Sequence, residues 1–437
     1  MAQSTEWNAA ARVLRRTGFG ATGQQIDAVV GQGMTTYLRT ALAADPNADP
    51  GAVATPRPTF DLLPRVGKNA GQDARKRFNT EQEQRLVRST QWWFRRMAAV
   101  REPMHEKLTL LWHNHFATSA QKVRSASEMV DQNEKLRTLG RGDFHTLAYS
   151  MLTDAAMLRW LDGTQNTAAA PNENLAREFM ELFGLGHGNG YTEQDVREGA
   201  RALTGWTVTD NGTASLNQRR HDARTKTVLG VTGPLDASGF CDAVLGHPAS
   251  AGFVTGRLWE QLASATPPSA ATSGRITEAY GAQRNLSAAI VAILTDPEFT
   301  GAKSTVVLTP VEWLVGAVRA LHVPLDDDTK VKNLTAVLRN LGQLPFYPPS
   351  VGGWPSGQAW LSTASADARI ATAAALTKTA DLEPISGTTR SDRIDATGHL
   401  LGIGAWSARS AAVLKDATND PARLVTLALN TPEYLTA

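Results

Sequence analysis

Along most of this chain, apolar residues recur at intervals of three and four. That is the spacing of helices that each bury one face. It predicts a short amphipathic helix over 6–16, stopped at Gly18 and Gly20, and one or two more over 22–43. Residues 44–79 lose the repeat and are rich in Pro, Gly, Ala and Asp, so they read as a long surface loop. The repeat resumes over about 80–100 and over 103–117, with Pro103 where a first helical turn tolerates it. Further helices are expected at 125–139, 143–151, 153–161, 172–186, 192–205, 235–245, 248–263, 275–283, 286–295, 310–321 and 327–340. Three more are expected near 364–379, 390–402 and 407–430, the last with a break. Two stretches depart from the pattern. Residues 206–232, rich in Thr and Val with a "DNG" turn signal, predict a β-hairpin or extended excursion. Residues 344–361, "LPFYPPSVGGWPSGQAWL", form a Pro/Gly/aromatic loop. The expected fold is mostly α: a large multi-helix body over 80–437 with one short β-hairpin-like excursion and long Pro/Gly loops, on which helices of 1–43 pack.

Composition narrows the class of protein. The 437 residues are 42% hydrophobic and 20% charged, ordinary for a soluble globular chain. Forty-four basic and 42 acidic residues leave a net charge of +2. No strong field would draw the whole molecule to nucleic acid or an acidic membrane. A single cysteine, Cys241, rules out an intramolecular disulfide and argues against thiolate-bound zinc. Its amphipathic surroundings, "ASGFCDAVLG", fit a buried structural thiol better than a nucleophile. No apolar run approaches 18 residues, so no membrane span is expected. The N-terminus has no signal-peptide pattern. That reads as cytoplasmic, with export bound to a signal-bearing partner as the alternative.

Four clusters carry candidate chemistry. In "LWHNHFA", 111–117, His113 and His115 are two apart, so on a regular helix they point about 200° apart and cannot grip one ion together. Each is a candidate metal ligand, and His115 a candidate general base. The alternative is a pair of histidines bonded to backbone near a helix end. In "NENLAREFMEL", 172–182, Glu178 and Glu181 lie three apart at the edge of an apolar face, as paired oxygen donors or a raised-pKa acid require. Arg177 would orient an anionic substrate there. The alternative is that Glu173–Arg177 and Arg177–Glu181 make i,i+4 ion pairs and Glu178 bonds an arginine of a neighbouring helix. His221 and Asp222 sit on the excursion, with Arg220 and Lys226 among the nearby cations suited to a phosphate, sulfate or carboxylate. The alternative is a solvated basic loop. Trp354, in the Pro/Gly loop, offers a flat face for a substrate, or else pins the loop into the core. Dinucleotide, P-loop, HExxH and GxSxG signatures are absent. "GLGHGNG", 184–190, follows a helix and reads as a C-cap, and Thr192 with Asp195 reads as a capping box for the next helix.

Five stretches resemble the bacterial domain-of-unknown-function 1800 family: "RVLRRTGFGAT" at 12–22, "EKLTLLWHNHFATS" at 106–119, "PNENLAREFMELFGLGHGNGYTEQDVREGARALTGW" at 171–206, "RRHDARTKTVLG" at 219–230 and "PPSVGGWPSGQAWLS" at 348–362. They are long, specific and in the family's order. The resemblance implies no settled activity, so no catalytic residue follows from it. It does imply a neighbour: members are often encoded beside a sulfatase-like family of the alkaline-phosphatase type, and many are exported. Two functional expectations result. One is metal-assisted hydrolysis or oxidation, with Zn, Mn or Fe held by His113 or His115, Glu178, Glu181 and His221, and with Asp222 completing the site. The other is a non-catalytic partner or chaperone of a sulfatase-like protein, its polar motifs serving as buried networks. An enzyme needs His113 or His115, Glu178 and His221 within a few ångströms around a reachable cavity; a structural partner would show each motif satisfied separately and an apolar patch left exposed.

Overall fold

The computed structural model describes residues 3–61, 63, 71–301 and 305–436. Twenty-five α-helices run in order from Thr5–Thr17 to Pro432–Leu435, so the mostly helical expectation holds. Gly33, at φ 86°, splits the 22–43 segment into Gly23–Gln32 and Met34–Ala43. The reading of 44–79 as one long loop needs correction. Asp49 accepts the Gly51 N–H and opens a short helix, Pro50–Ala54. A long helix then begins at Gln72 and runs to Ala99. Its first turns are polar and carry no apolar repeat, which is why the spacing missed them. Residues 62 and 64–70 of that reading lie outside the described residues.

The excursion holds two hairpins rather than one. Trp206–Val208 pairs with Ala214–Leu216, and Lys226–Val228 with Val231–Gly233. The first turns through "DNG", with Gly212 at φ 81°. The second turns on Leu229 and Gly230, both at positive φ. That shape is ordinarily given to Asn-Gly, so a leucine there hid the turn.

Two apolar cores form. One gathers the N-terminal helices with side chains from the 144–203 and 237–299 segments; the other gathers the long helix with the 308–346 and C-terminal segments. The helix Met104–His115, which carries "LWHNH", serves both: Leu108, Leu111 and Trp112 enter the first core and Leu110 the second. Every residue of this helix except Asn114 is buried. A helix buried all round is a spine, and its polar side chains must find partners away from water.

Its charged residues do so one at a time. The Glu106 carboxylate accepts from Arg96 Nε at 2.6 Å, Arg137 Nε at 2.6 Å and Nη2 at 2.9 Å, and Trp93 Nε1 at 2.9 Å. Arg96 continues to the Pro46 carbonyl and to Asn47 Oδ1, and Arg137 to Asn133 and Glu134. Burial alone would raise the Glu106 carboxyl, but the two guanidiniums prevail and hold it at about 2. Lys107 pairs with Glu312, and the His105 ring meets Arg141 Nη1 at 3.2 Å. At the far end of the chain, Arg15 of the first helix donates to the carbonyls of Glu433, Tyr434 and Thr436 at 3.0, 2.8 and 3.1 Å. The two termini are thereby joined.

Removing the Glu106 charge leaves the buried Arg96 without an ion pair and Arg137 with Glu134 alone. Glu106→Gln is expected to cost about 3–5 kcal/mol in urea unfolding at pH 7. Because the folded carboxyl sits at about 2 and an unfolded glutamate near about 4.3, its contribution is complete above the unfolded value. It is lost as pH falls through about 2. The Glu106→Gln variant should therefore lose less stability than wild type across that interval.

Candidate functional site

The two histidines of "LWHNHFA" sit in aromatic boxes. His113 lies between Trp93, Phe346 and Trp354, with ring centroids 5.6, 5.7 and 5.4 Å away. Its Nε2 is buried without a hydrogen-bond partner among the described residues. His115 is ringed by Trp112, Phe116, Phe144, Phe183 and Phe253. Its Nε2 lies 3.0 Å from the Phe183 carbonyl. A carbonyl only accepts, so Nε2 carries the proton and Nδ1, buried and unpartnered, is the bare nitrogen. Burial drives both rings down to about 3, reinforced at His115 by the nearby Arg257. Both are neutral imidazoles at physiological pH, facing apolar rings rather than solvent.

Asn114, between them, points the other way and pins the Pro/Gly loop. Its Oδ1 accepts the Trp354 backbone N–H at 2.7 Å, and its Nδ2 donates to Gln261 Oε1 at 3.3 Å. Gly353 beside it adopts φ 83°, and a Cβ there would stand 2.3 Å from Asn114 Oδ1. Only glycine fits this approach. Trp354 and Trp360 are both buried, 5% exposed, so the loop is held by its tryptophans. Trp354 is packed against His113 and presents no open face to a substrate.

Glu178 and Glu181 do lie close together, but not on one regular helix. The helix Asn174–Glu178 gives way to a π-turn over Phe179–Gly184, closed by the Leu185 N–H on the Met180 carbonyl at 2.9 Å. Glu178 is half-buried and has no hydrogen bond or ion pair among the described residues. Desolvation first, and then the Glu181 charge, raise its carboxyl. Glu181 lies 3.4 Å from His187 Nδ1 and 3.8 Å from Arg177 Nη1. Arg177 is occupied by Glu193, at 2.8 Å from each nitrogen, and by Glu173 at 2.9 Å. These hydrogen bonds, that of Glu193 foremost, push its pKa up. Of the alternative reading, the i,i+4 pairs of Arg177 with Glu173 and Glu181 are present, but Glu178 makes no bond to an arginine of a neighbouring helix among the described residues. Asn172 takes the Asn174 N–H at 3.0 Å, and the Thr192–Asp195 capping box forms as the sequence indicates.

The excursion residues close on themselves. His221 Nδ1 lies 3.0 Å from the Thr204 carbonyl. The buried Asp222 carboxylate is gripped by Arg224 at 2.7 and 3.0 Å and by Arg201 at 2.9 Å, which hold it well below the usual carboxylate range against the cost of burial. Lys226 is buried and donates to the Asp222 and Arg224 carbonyls. Arg220 donates to the Thr164 carbonyl at 2.9 Å. The basic stretch is a hairpin lock rather than an open anion cradle. Cys241 is fully buried and its thiol is pushed up by desolvation.

The nominated residues thus fall into four separate groups, and within them His113 Nε2, His115 Nδ1 and the Glu178 carboxylate have no hydrogen-bond partner among the described residues. Among the described residues no cluster of three or more His, Cys, Asp and Glu side chains is placed to hold a metal ion. Sequence reasoning missed two features that organise this region. The Glu106–Arg96–Arg137 network spans contacts 31 residues apart and leaves no local signal. The Asn114–Gly353 pin could have been suspected from the paired glycines before Trp354. It also missed a cleft of about 1240 Å³ between the 19–22 loop with the start of the helix Gly23–Gln32, the end of the long helix, and the helices Pro310–Ala320 and Arg393–Leu400. Its wall is drawn from residues as distant as Gln3 and Ala411.

Fold and site together define a mostly helical protein with a buried polar framework and an open cleft. The family model described as a protein of unknown function, DUF1800, matches residues 12–436, and the chain belongs to that family. No curated protein and no solved structure matches it. Among the described residues no helix is long and apolar enough to cross a membrane.

Two predictions follow from these contacts. Rings held near 3 in the folded state and near about 6.5 when unfolded favour folding fully above the higher value, and that contribution is lost as pH falls toward the lower. Stability measured by urea titration should therefore drop from pH 7 to pH 5. Replacing His113 by Phe should flatten the slope by up to about one proton. Separately, Gly353→Ala should lower the melting temperature, because the added carbon meets Asn114; an unchanged melt would count against the pin.

Proposed function

We propose that this protein works as a non-catalytic binding partner, with a sulfatase-like protein of the alkaline-phosphatase type as the partner that the family resemblance implies. The observation that carries the reading is the way the motif residues are spent. His113, Asn114 and His115 are consumed by an aromatic box, a loop pin and a backbone carbonyl. Asp222 is consumed by two arginines. A catalytic constellation needs these groups around one reachable point. A framework needs each of them satisfied where it stands. Five large apolar side chains are exposed among the described residues, Val53 and Val413 the most, so a partner would meet a largely polar surface rather than the exposed apolar patch expected of a structural partner.

The test is co-expression with a sulfatase-like protein from the same genome, followed by size-exclusion chromatography with light scattering. The reading expects a defined complex at micromolar concentration. It expects the chain alone to purify without stoichiometric metal, measured by mass spectrometry on untagged, chelator-free protein. Absence of the complex would contradict it. So would near-stoichiometric Zn, Mn or Fe that a folded His115→Ala, Glu178→Ala variant fails to bind.

One observation favours the enzymatic reading. Glu178 is half-buried, unpaired and raised by desolvation and by Glu181, on a π-turn of the kind that recurs at functional sites. In that reading Glu178 is a general acid, and turnover of a substrate by the isolated chain would fall by about 10²–10⁴-fold in Glu178→Gln.

A further inference from the structure

We propose that the cleft between the two ends of the chain takes an extended, acidic polypeptide segment supplied by the binding partner. This rests on the partner reading above and goes beyond it by naming the surface and the chemistry. At about 1240 Å³ the cleft exceeds the roughly 300–1,000 Å³ of ordinary small-molecule pockets. Its floor is preformed. Gly316 lies so close to the 18–22 loop that a Cβ would stand 2.5 Å from the Phe19 carbonyl, and one at Gly402 would stand 2.3 Å from the Ala21 carbonyl. Arg319 fixes the adjoining wall. Its guanidinium donates to the carbonyls of Met97, Ala98 and Val100 at 3.2, 3.0 and 2.6 Å, closing the end of the long helix.

The free groups of the lining set the class of occupant. Gln3 and Gln24 both line the cleft, and their side-chain amides have no partner among the described residues. An amide both donates and accepts, which matches the alternating groups of a peptide main chain. Ile394 and Trp406 supply apolar wall between these polar points. Arg101 and His322 also line the cleft, are exposed, and have no ion-pair partner among the described residues. The other lining histidine, His399, is paired with Asp27 at 3.2 Å. The lining carboxylate, Asp395, already has an interaction within the protein. The Arg101 guanidinium is therefore the exposed lining charge left without an ion pair among the described residues, and an acidic segment complements it.

The probes are two pools of fluorescein-labelled hexapeptides, one with two glutamates at fixed positions and one with two lysines there, read by fluorescence anisotropy against the full chain. Ala99→Trp fills the cleft from an exposed position on its wall, and Arg101→Glu reverses the unpaired charge. Both sit at the surface, and thermal melts establish that they fold. The expected result is saturable binding of the glutamate pool, weakened by about tenfold or more in Arg101→Glu and abolished in Ala99→Trp. Equal response to both pools, no saturation by about 1 mM, or unchanged binding in Ala99→Trp would overturn the proposal. The same variants separate it from the partner reading. If the complex with the sulfatase-like protein forms equally well with Ala99→Trp, docking in the cleft is wrong and the partnership stands. If wild type forms no complex, the partnership is wrong and the peptide result judges the cleft alone.

Discussion

The structure turns on burying one helix on every side but that of Asn114. Met104–His115 lies between two apolar cores and contributes to both, yet it carries His105, Glu106, Lys107, Thr109, His113, Asn114 and His115. A buried polar group without a partner costs on the order of 1–3 kcal/mol, and a buried charge more. The surrounding elements are therefore constrained to supply partners. Glu106 recruits Arg96 from the long helix and Arg137 from the helix Ala126–Leu139. Lys107 recruits Glu312, and Asn114 the Gly353–Trp354 loop. Each contact fixes a different neighbour, so the polar residues of the helix specify how the others pack around it.

The same constraint separates the candidate residues from one another. A histidine in a box of aromatic rings, with its proton committed to a backbone carbonyl, is a packing element whatever its residue type suggests. Asp222 in the grip of two arginines closes the excursion against the helix Glu193–Ala202. The Glu178–Glu181 pair stands apart from both. It lies at the margin of the first core, where a π-turn interrupts the regular helix.

How far this was legible in the sequence follows from the range of each interaction. Local signals read well: the helical spacing, the Thr192–Asp195 box, the "DNG" turn, and the tryptophans that anchor the 344–361 loop. The buried Cys241 was legible from its amphipathic surroundings. Long-range partnerships were not, because nothing near Glu106 announces Arg137. The polar start of the long helix at Gln72 carried no apolar repeat, and Leu229 masked a tight turn. The π-turn at Phe179 shifts Glu181 off the regular 3.6-residue register on which its position was inferred. The cleft was out of reach because its walls come from segments far apart in the chain, 3–25, 98–101, 316–322 and 384–411.

The central claim is that the "LWHNH" helix is the buried spine of the molecule and not the wall of a working site. Native-state amide hydrogen exchange across Met104–His115, followed against increasing denaturant, tests it most directly. A spine exchanges only when the whole protein unfolds, so its amides should converge on the global unfolding free energy and its slope. Exchange at Trp112–His115 through local openings several kcal/mol below the global value would mean that this segment opens to solvent in the folded state, and would contradict the account.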